Sequence, residues 1–256
     1  MIAPCYQFEN FSFTDMVTCV RELRHAGVGA FCMEDVTEAV VRYLYDRFRN
    51  PETGEREIAL VRCFKTERYA DLGDCYLQQI ARTTGQCDSL DDDVRCLTLL
   101  GTAGQEPEWN ERHQSRGHKA IPLVSKQFVL QLPMIARLIQ QLGLEIESVL
   151  TPDPELLVDL DEESFNVFHV PEAPSSEYIP AQDEFVIPYG VQSVLGFGGM
   201  MPSGNLFAVI IFSKAKITRP IADRFKTISL SVKTALLPFD SGQIFREASL
   251  YAERKR

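Results

Sequence analysis

Apolar residues recur along this chain with two different periods, and the switches between them mark the elements. Phe13, Met16, Val17, Val20 and Leu23 repeat at helical spacing until Gly27 and Gly29 end the run. Val36, Val40, Leu44 and Phe48 make a second helical stripe, with Asp35 placed to cap it and Asn50-Pro51 to stop it. Pro51-Glu52-Thr53-Gly54 reads as a turn. Glu57 to Lys65 is apolar on both faces, the pattern of a central strand. A helix over Tyr69 to Ala81, a polar loop over Gly85 to Asp93 and a strand over Val94 to Leu100, closed by Gly101 to Gly104, are expected next. The polar loop Gln105 to Gly117 leads to a short third strand at His118 to Leu123.

The second half begins with an expected helix over Ser125 to Leu142, kinked at Pro133 and ended by Gly143. Leu156 to Leu160 and Phe165 to Val170 are weak apolar stretches, and Pro171 to Pro188 has little regular pattern. The latter reads either as a lid or as a static excursion. Val191 to Phe197 and Leu206 to Ser213 read as strands joined by a hairpin through Pro202-Ser203-Gly204. A closing helix runs from about Pro220 to Leu237 with the stripe Ile221, Phe225, Ile228, Val232 and Ala235. Phe239 to Arg256 reads as a solvated helix leaving the domain. The expected class is α+β, an antiparallel sheet flanked by helices with an enlarged middle segment. The chain divides into a helical segment at 1–52, a main domain at 53–238 and a helical extension or linker at 239–256.

Charge narrows the partners. The 256 residues carry a formal net charge of −10, which argues against nucleic-acid backbone as a partner. The acidity is local: Leu138 to Ser213 contains twelve acidic residues and neither Lys nor Arg. No basic leader or bilayer-length apolar run is seen, so a cytoplasmic location away from membrane is expected. All seven cysteines fall within the first 96 residues, and a reducing location leaves them as free thiols.

The order of elements resembles a GAF domain. The stretch GVQSVLGFGGMMPSGNLFAVIIFSK, Gly190 to Lys214, with the helix that follows, is similar to the last two strands and closing helix of that family. EIALVRCFKT, Glu57 to Thr66, would be its first strand. Met33 to Phe239 also looks like the GAF-like sensory module at the front of bacterial signalling proteins, on the phrases RCLTLLGTAGQEPEWNERHQSRGHKAIPL and FNVFHVPEAPSSEYIPAQDEFVIPYG. The resemblance implies small-molecule or redox sensing and homodimerisation, with a fused or separate kinase-type output domain as a possible partner. It names no ligand or cofactor.

Candidate chemistry centres on the loop QEPEWNERHQSRG, where Trp109, Arg112, His113 and Arg116 sit together and His118 follows. Such a loop could cover an anion or an aromatic ligand, or be a surface loop pinned by its Trp. Arg62 is a charge in an apolar strand, so it needs a structural ion pair or an anionic ligand. Tyr178 belongs to the lid candidate and Phe197 could point into a pocket. Gly196-Phe197-Gly198-Gly199 precedes a turn and a strand, which a dinucleotide fingerprint does not. His113, His118 and His169 lack the spacing of a metal or haem site, and Asp159 to Asn166 lacks that of a calcium loop. No residue is assigned as catalytic. The reading that emerges is a regulatory domain binding a small molecule between sheet and covering loops and relaying it through its terminal helices. A small redox enzyme using Cys87 or Cys96 as nucleophile is the alternative, with an interaction module using the acidic section as a third. The stripes on the first and last helices serve core or dimer contacts, which periodicity does not separate.

Overall fold

The computed structural model describes residues 4–73, 90–152 and 166–246. Its elements are α1 (Phe13–Arg24), α2 (Met33–Arg47), β1 (Ile58–Arg68), β2 (Arg95–Gly104), β3 (Ala120–Pro122), α3 (Lys126–Leu130), α4 (Pro133–Gln141), α5 (Ile146–Leu150), β4 (Val167–Val170), β5 (Ser193–Met200), β6 (Leu206–Ser213) and α6 (Arg219–Leu236). The described strands form one sheet in the order β3-β2-β1-β6-β5-β4, with every neighbouring pair antiparallel. The class is therefore α+β, an antiparallel sheet flanked by helices. The β5–β6 hairpin and its closing helix lie where the sequence puts them.

Both faces of the sheet are covered. On one side Val61, Cys63, Phe197, Phe207 and Val209 pack with α1, α2 and α6. An aromatic cluster centres this layer: Phe8 stacks on Phe48 at 4.3 Å, and Phe225 of α6 lies 5.8 Å from Phe197 and 5.6 Å from Phe11. On the other side Phe64, Leu99, Ala208 and Ile210 pack with α3 to α5 and with the segment that includes Ala173, Ile179 and Val186. The 1–52 stretch thus shares one core with the sheet and α6.

The α1 stripe divides: Met16, Cys19 and Leu23 are buried, whereas Phe13 and Val17 face outward. The α6 stripe is wholly buried.

Several elements differ from the pattern, each for a local reason. β2 continues through Gly101 to Gly104 instead of closing there. These glycines mark close approach: a Cβ on Gly101 would lie 2.7 Å from the Thr37 carbonyl of α2, and one on Gly104 would lie 2.8 Å from the Trp109 ring. A register shift at Cys63/Phe64, opposite Gly101 and Leu99, makes Leu100 the extra residue. The expected 125–142 helix is two helices, because Pro133 starts α4 after Leu132 leaves helical geometry at φ −111°, ψ 82°. Phe165 to Val170 contributes edge strand β4, and Tyr69–Asp71 is a single 3₁₀ turn. Leu72 is extended at φ −82°, ψ 140° and ends that turn, so the expected 69–81 helix does not begin there; residues 74–81, the Leu156 to Leu160 stretch and most of the acidic run lie outside the described residues.

Asp35 caps α2 from its first turn, accepting the amides of Phe31 at 2.9 Å and Cys32 at 3.3 Å. The described part of the 239–256 segment also differs from the expectation. Residues 237–246 fold back rather than leave: Asp240 accepts from Ser203, and the Met33 and Glu34 amides of α2 donate to Gln243 and Ile244.

Phe225→Ala should cost about 3–5 kcal/mol, because it empties the centre of the aromatic cluster. Urea denaturation checks this. A loss under about 1 kcal/mol would mean that the cluster does not anchor α6.

Candidate functional site

Arg62 sits mid-strand on β1, opposite Thr102 of β2 and Ile210 of β6. Strand alternation puts it on the face of Leu60 and Phe64, under the 105–118 loop. Its Nη2 donates to the Ser115 hydroxyl at 3.0 Å and the Arg116 carbonyl at 2.5 Å. Its Nε is enclosed with no hydrogen-bond partner. Desolvation holds the guanidinium down to about 10, and no carboxylate among the described residues opposes it. Of the two roles open to this charge, the structural ion pair is absent among the described residues. Gly117, at φ +92°, lets the loop close over it, since a Cβ there would lie 3.1 Å from Nη1. His118 ends the loop, largely exposed, and is held below the usual imidazole value by partial burial and then by the Arg62 charge.

The two covering segments meet over this face. Trp109 lies 4.7 Å from Tyr189 and 5.6 Å from Phe185, which in turn edges Phe212 at 5.0 Å. Thr102 fixes the loop by donating to the Trp109 carbonyl at 2.9 Å. The 171–190 segment is stapled by Gln182, whose amide nitrogen donates to the carbonyls of Ala173, Ser176 and Ile179. Its oxygen accepts from the Ser175 amide at 2.9 Å. Such a staple makes the segment a packed excursion in this structure, not an open lid. Gln182 carries no sequence signal, because its partners are all backbone.

The remaining predicted residues scatter. Phe197 faces the helices, fully buried against Phe225, because β5 alternation turns it away from the covering loops. Arg112 is buried on the helix side, where its Nη2 meets Glu34 Oε2 at 2.8 Å. Arg116 is exposed and pairs with Glu108 at 2.7 Å, while the exposed His113 presents its carbonyl to Lys119. Tyr178 lies under the Arg137 guanidinium at 5.3 Å. Arg62, Trp109 and His118 are thus the predicted residues gathered at the 105–118 loop, and Tyr178 packs on the same side of the sheet within the 171–190 segment.

A second polar site has no counterpart in the sequence reading. Lys65 is 1% exposed; its Nζ lies 2.5 Å from Glu67 Oε1 and 3.8 Å from Asp240 Oδ1. Asp240 accepts from the Ser203 amide and hydroxyl at 2.8 and 2.7 Å, and Arg95 donates to Asn205 at 2.5 Å. Burial pushes Glu67 above the ordinary carboxylate value, with Lys65 pulling the other way. Glu67, Arg95, Ser203, Asn205 and Asp240 border a cleft of about 420 Å³ whose wall includes Gly242 to Phe245. The alternation Lys65-x-Glu67 was its one available signal.

Among the described residues no group of three or more His, Cys, Asp or Glu could hold a metal, and His169 Nε2 instead bonds the Ile217 carbonyl at 2.8 Å. Cys96 is fully buried and its thiol is pushed up to about 12, which removes its nucleophilic form at neutral pH. Cys63 is pushed up to about 12 likewise. Cys75 and Cys87 lie outside the described residues. No helix among the described residues is long and apolar enough to cross a membrane.

No protein-family model and no curated protein matches this chain. Solved structures do. The phycocyanobilin-bound GAF domain of a cyanobacterial phytochrome matches at TM-score 0.40 and 9% identity, over 88% of this chain and 94% of that one. The phycoerythrobilin-bound GAF domain of a cyanobacterial phytochrome matches at 0.39 and 9%, over 87% and 94%. The wild-type photosensory core module of Stigmatella aurantiaca phytochrome matches at 0.38 and 12%, over 98% of this chain and 42% of that one. These are likenesses of fold, and the bilins belong to those proteins.

His118 and His169 are both held below their ordinary value, first by burial. The unfolded chain therefore takes up more protons as pH falls past about 6.5, so stability present at neutral pH is lost below it. Urea midpoints at about pH 7.5 and 5.5 should differ, and the difference should shrink in His118→Asn. An identical drop in that variant would remove His118 from the titration.

Proposed function

We propose that this chain is a GAF-like sensory or regulatory domain that binds a small anionic molecule on the sheet face beneath the 105–118 loop. One observation carries the reading: Arg62 is a half-buried guanidinium whose Nε is enclosed without a hydrogen-bond partner, and no carboxylate among the described residues pairs with it. An uncompensated buried charge is costly and persists where something else depends on it. His118 stands beside it to share a carboxylate or phosphate. The aromatic group of Trp109, Tyr189 and Phe185 continues the same face, which suits an anion attached to an unsaturated ring. The ligand would favour one of two packings of the covering loops, and an output domain or partner, fused or separate and of kinase type, would read it.

Arg62→Met separates this reading from a structural role. It should abolish binding of the native anion, identified by native mass spectrometry and absorbance of protein from its own source. Unfolding free energy should change by no more than about 1 kcal/mol, since an unpaired charge is removed. Unchanged affinity in the variant, or native protein that carries no anion and takes up none, would sink the proposal.

The same reading includes a homodimer. Phe13 and Val17, 68% and 48% exposed, are one turn apart on α1, and Leu230 of the neighbouring α6 is 49% exposed. Three outward apolar side chains on a paired helix face suit a second copy of this chain. Phe13→Arg should convert a dimer to a monomer in sedimentation velocity. A wild-type monomer, or a dimer that survives the change, would remove this face from the proposal.

A further inference from the structure

The first turn of α2 is closed by residues 243–246. A helix leaves its leading amides without internal partners. Here the Met33 amide donates to the Gln243 carbonyl at 2.9 Å and the Glu34 amide to the Ile244 carbonyl at 3.0 Å. The arm is held further by Arg246, whose guanidinium meets Asp35 at 2.7 Å and Glu38 at 2.9 Å. Its backbone amide donates to Glu34 Oε2 at 3.0 Å.

Glu34 is 6% exposed, and the same Oε2 accepts Arg112 Nη2 at 2.8 Å. The Arg112 guanidinium also lies 5.7 Å from the Phe245 ring centre. One buried carboxylate is therefore shared between the docked arm and the covering loop. Arg112 in turn belongs to a tight turn: the Ser115 and Gln114 amides both donate to the Glu111 carbonyl, at 2.9 and 3.1 Å. The far end of that turn is Ser115–Arg116, the pair that holds Arg62. The 111–116 turn thus reaches from the Arg62 guanidinium on one side of the sheet to Glu34 and Phe245 on the other.

We infer that this turn couples the Arg62 site to docking of the 243–246 arm, so that an anion on Arg62 releases the arm from α2. The inference rests on the reading of Arg62 as an anion site. An anion competes for the donors that now hold the Arg116 carbonyl and the Ser115 hydroxyl. Freed from them, the turn withdraws Arg112 from Glu34 and Phe245. Glu34 then loses its buried counter-charge and turns to water, taking with it the acceptor of the Arg246 amide. The two states are arm docked and arm released, and the anion favours the second through the contacts it replaces. The arm also walls the polar cleft beside Glu67 and Asp240, so its release would open that cleft.

Hydrogen exchange at the Met33 and Glu34 amides reads arm docking directly. Arg62→Met, with no ligand, should speed exchange at both by about tenfold, while amides in β5 and β6 keep their protection. A folded variant with unchanged exchange at these two amides overturns the coupling whether or not any anion binds. Ser115→Ala, which leaves Arg62 in place, repeats the test should Arg62→Met fail to fold. Benzoate and inorganic phosphate are then titrated into the wild type, with chemical shifts at Ser115 and His118 reporting binding. Binding with faster Met33 and Glu34 exchange supports the coupling, and binding without it overturns the coupling and spares the anion site. Loosening in the variants, with wild-type protein that binds neither probe and carries no native anion, supports the coupling and overturns the anion site.

Discussion

β1 is paired on both edges and covered on both faces, so the charged side chains within it lose water: Lys65 and Glu67 are buried and Arg62 is half-buried. Eleven residues long, it carries Arg62, Lys65 and Glu67 before it reaches solvent near Arg68. Burial of an ion costs several kcal/mol unless another group compensates it. The fold meets this demand in two ways. Lys65 and Glu67 share a face and neutralise each other, with Asp240 brought in from the far end of the chain. Arg62 faces the other way, where among the described residues a hydroxyl and a carbonyl meet it. The same strand therefore holds a satisfied polar cluster on one side and an unsatisfied cation on the other.

Everything distinctive about the covering layers follows from serving those two sites. The 105–118 loop lays Trp109 and Ser115 over the Arg62 face and returns Arg112 to the helix face. Glycines permit both close approaches, Gly104 beneath the Trp109 ring and Gly117 against the guanidinium. On the opposite side the chain end folds back, because Asp240 completes the Lys65 cluster and the Gln243 and Ile244 carbonyls complete α2. Ends that read as separable by composition are joined to the core by backbone hydrogen bonds.

Legibility in the sequence followed the range of the interactions. The hairpin of β5 and β6, the stripe on α6 and the central position of β1 were readable, since apolar period reports which face meets the core. Edge strand β4 was weak and β2 was cut short, because its glycines resemble a turn until the helix above them is known. Of the candidate site, Arg62 was readable as a charge in an apolar strand, and Trp109 as an anchor in a polar loop. Phe197 and Arg112 were not, since a single register step or a loop's path decides which face a side chain joins. Gln182 and Asp240 gave no signal, because their partners are backbone or far away in sequence.

The amino-acid sequence by itself determined the class of fold, the strand that lies at its centre and the presence of a charge there that needed an answer. Local periodicity and the cost of burying ions are enough for that much. The tertiary structure alone decided which charges answer one another. It paired Lys65 with Glu67 and Asp240, gave Arg112 to Glu34, and left Arg62 without a carboxylate among the described residues. Those outcomes depend on segments far apart in the chain, and the neighbouring contact between Glu34 and Arg246 spans 212 positions. Pairings at that separation are set by packing of whole layers, which no local pattern encodes.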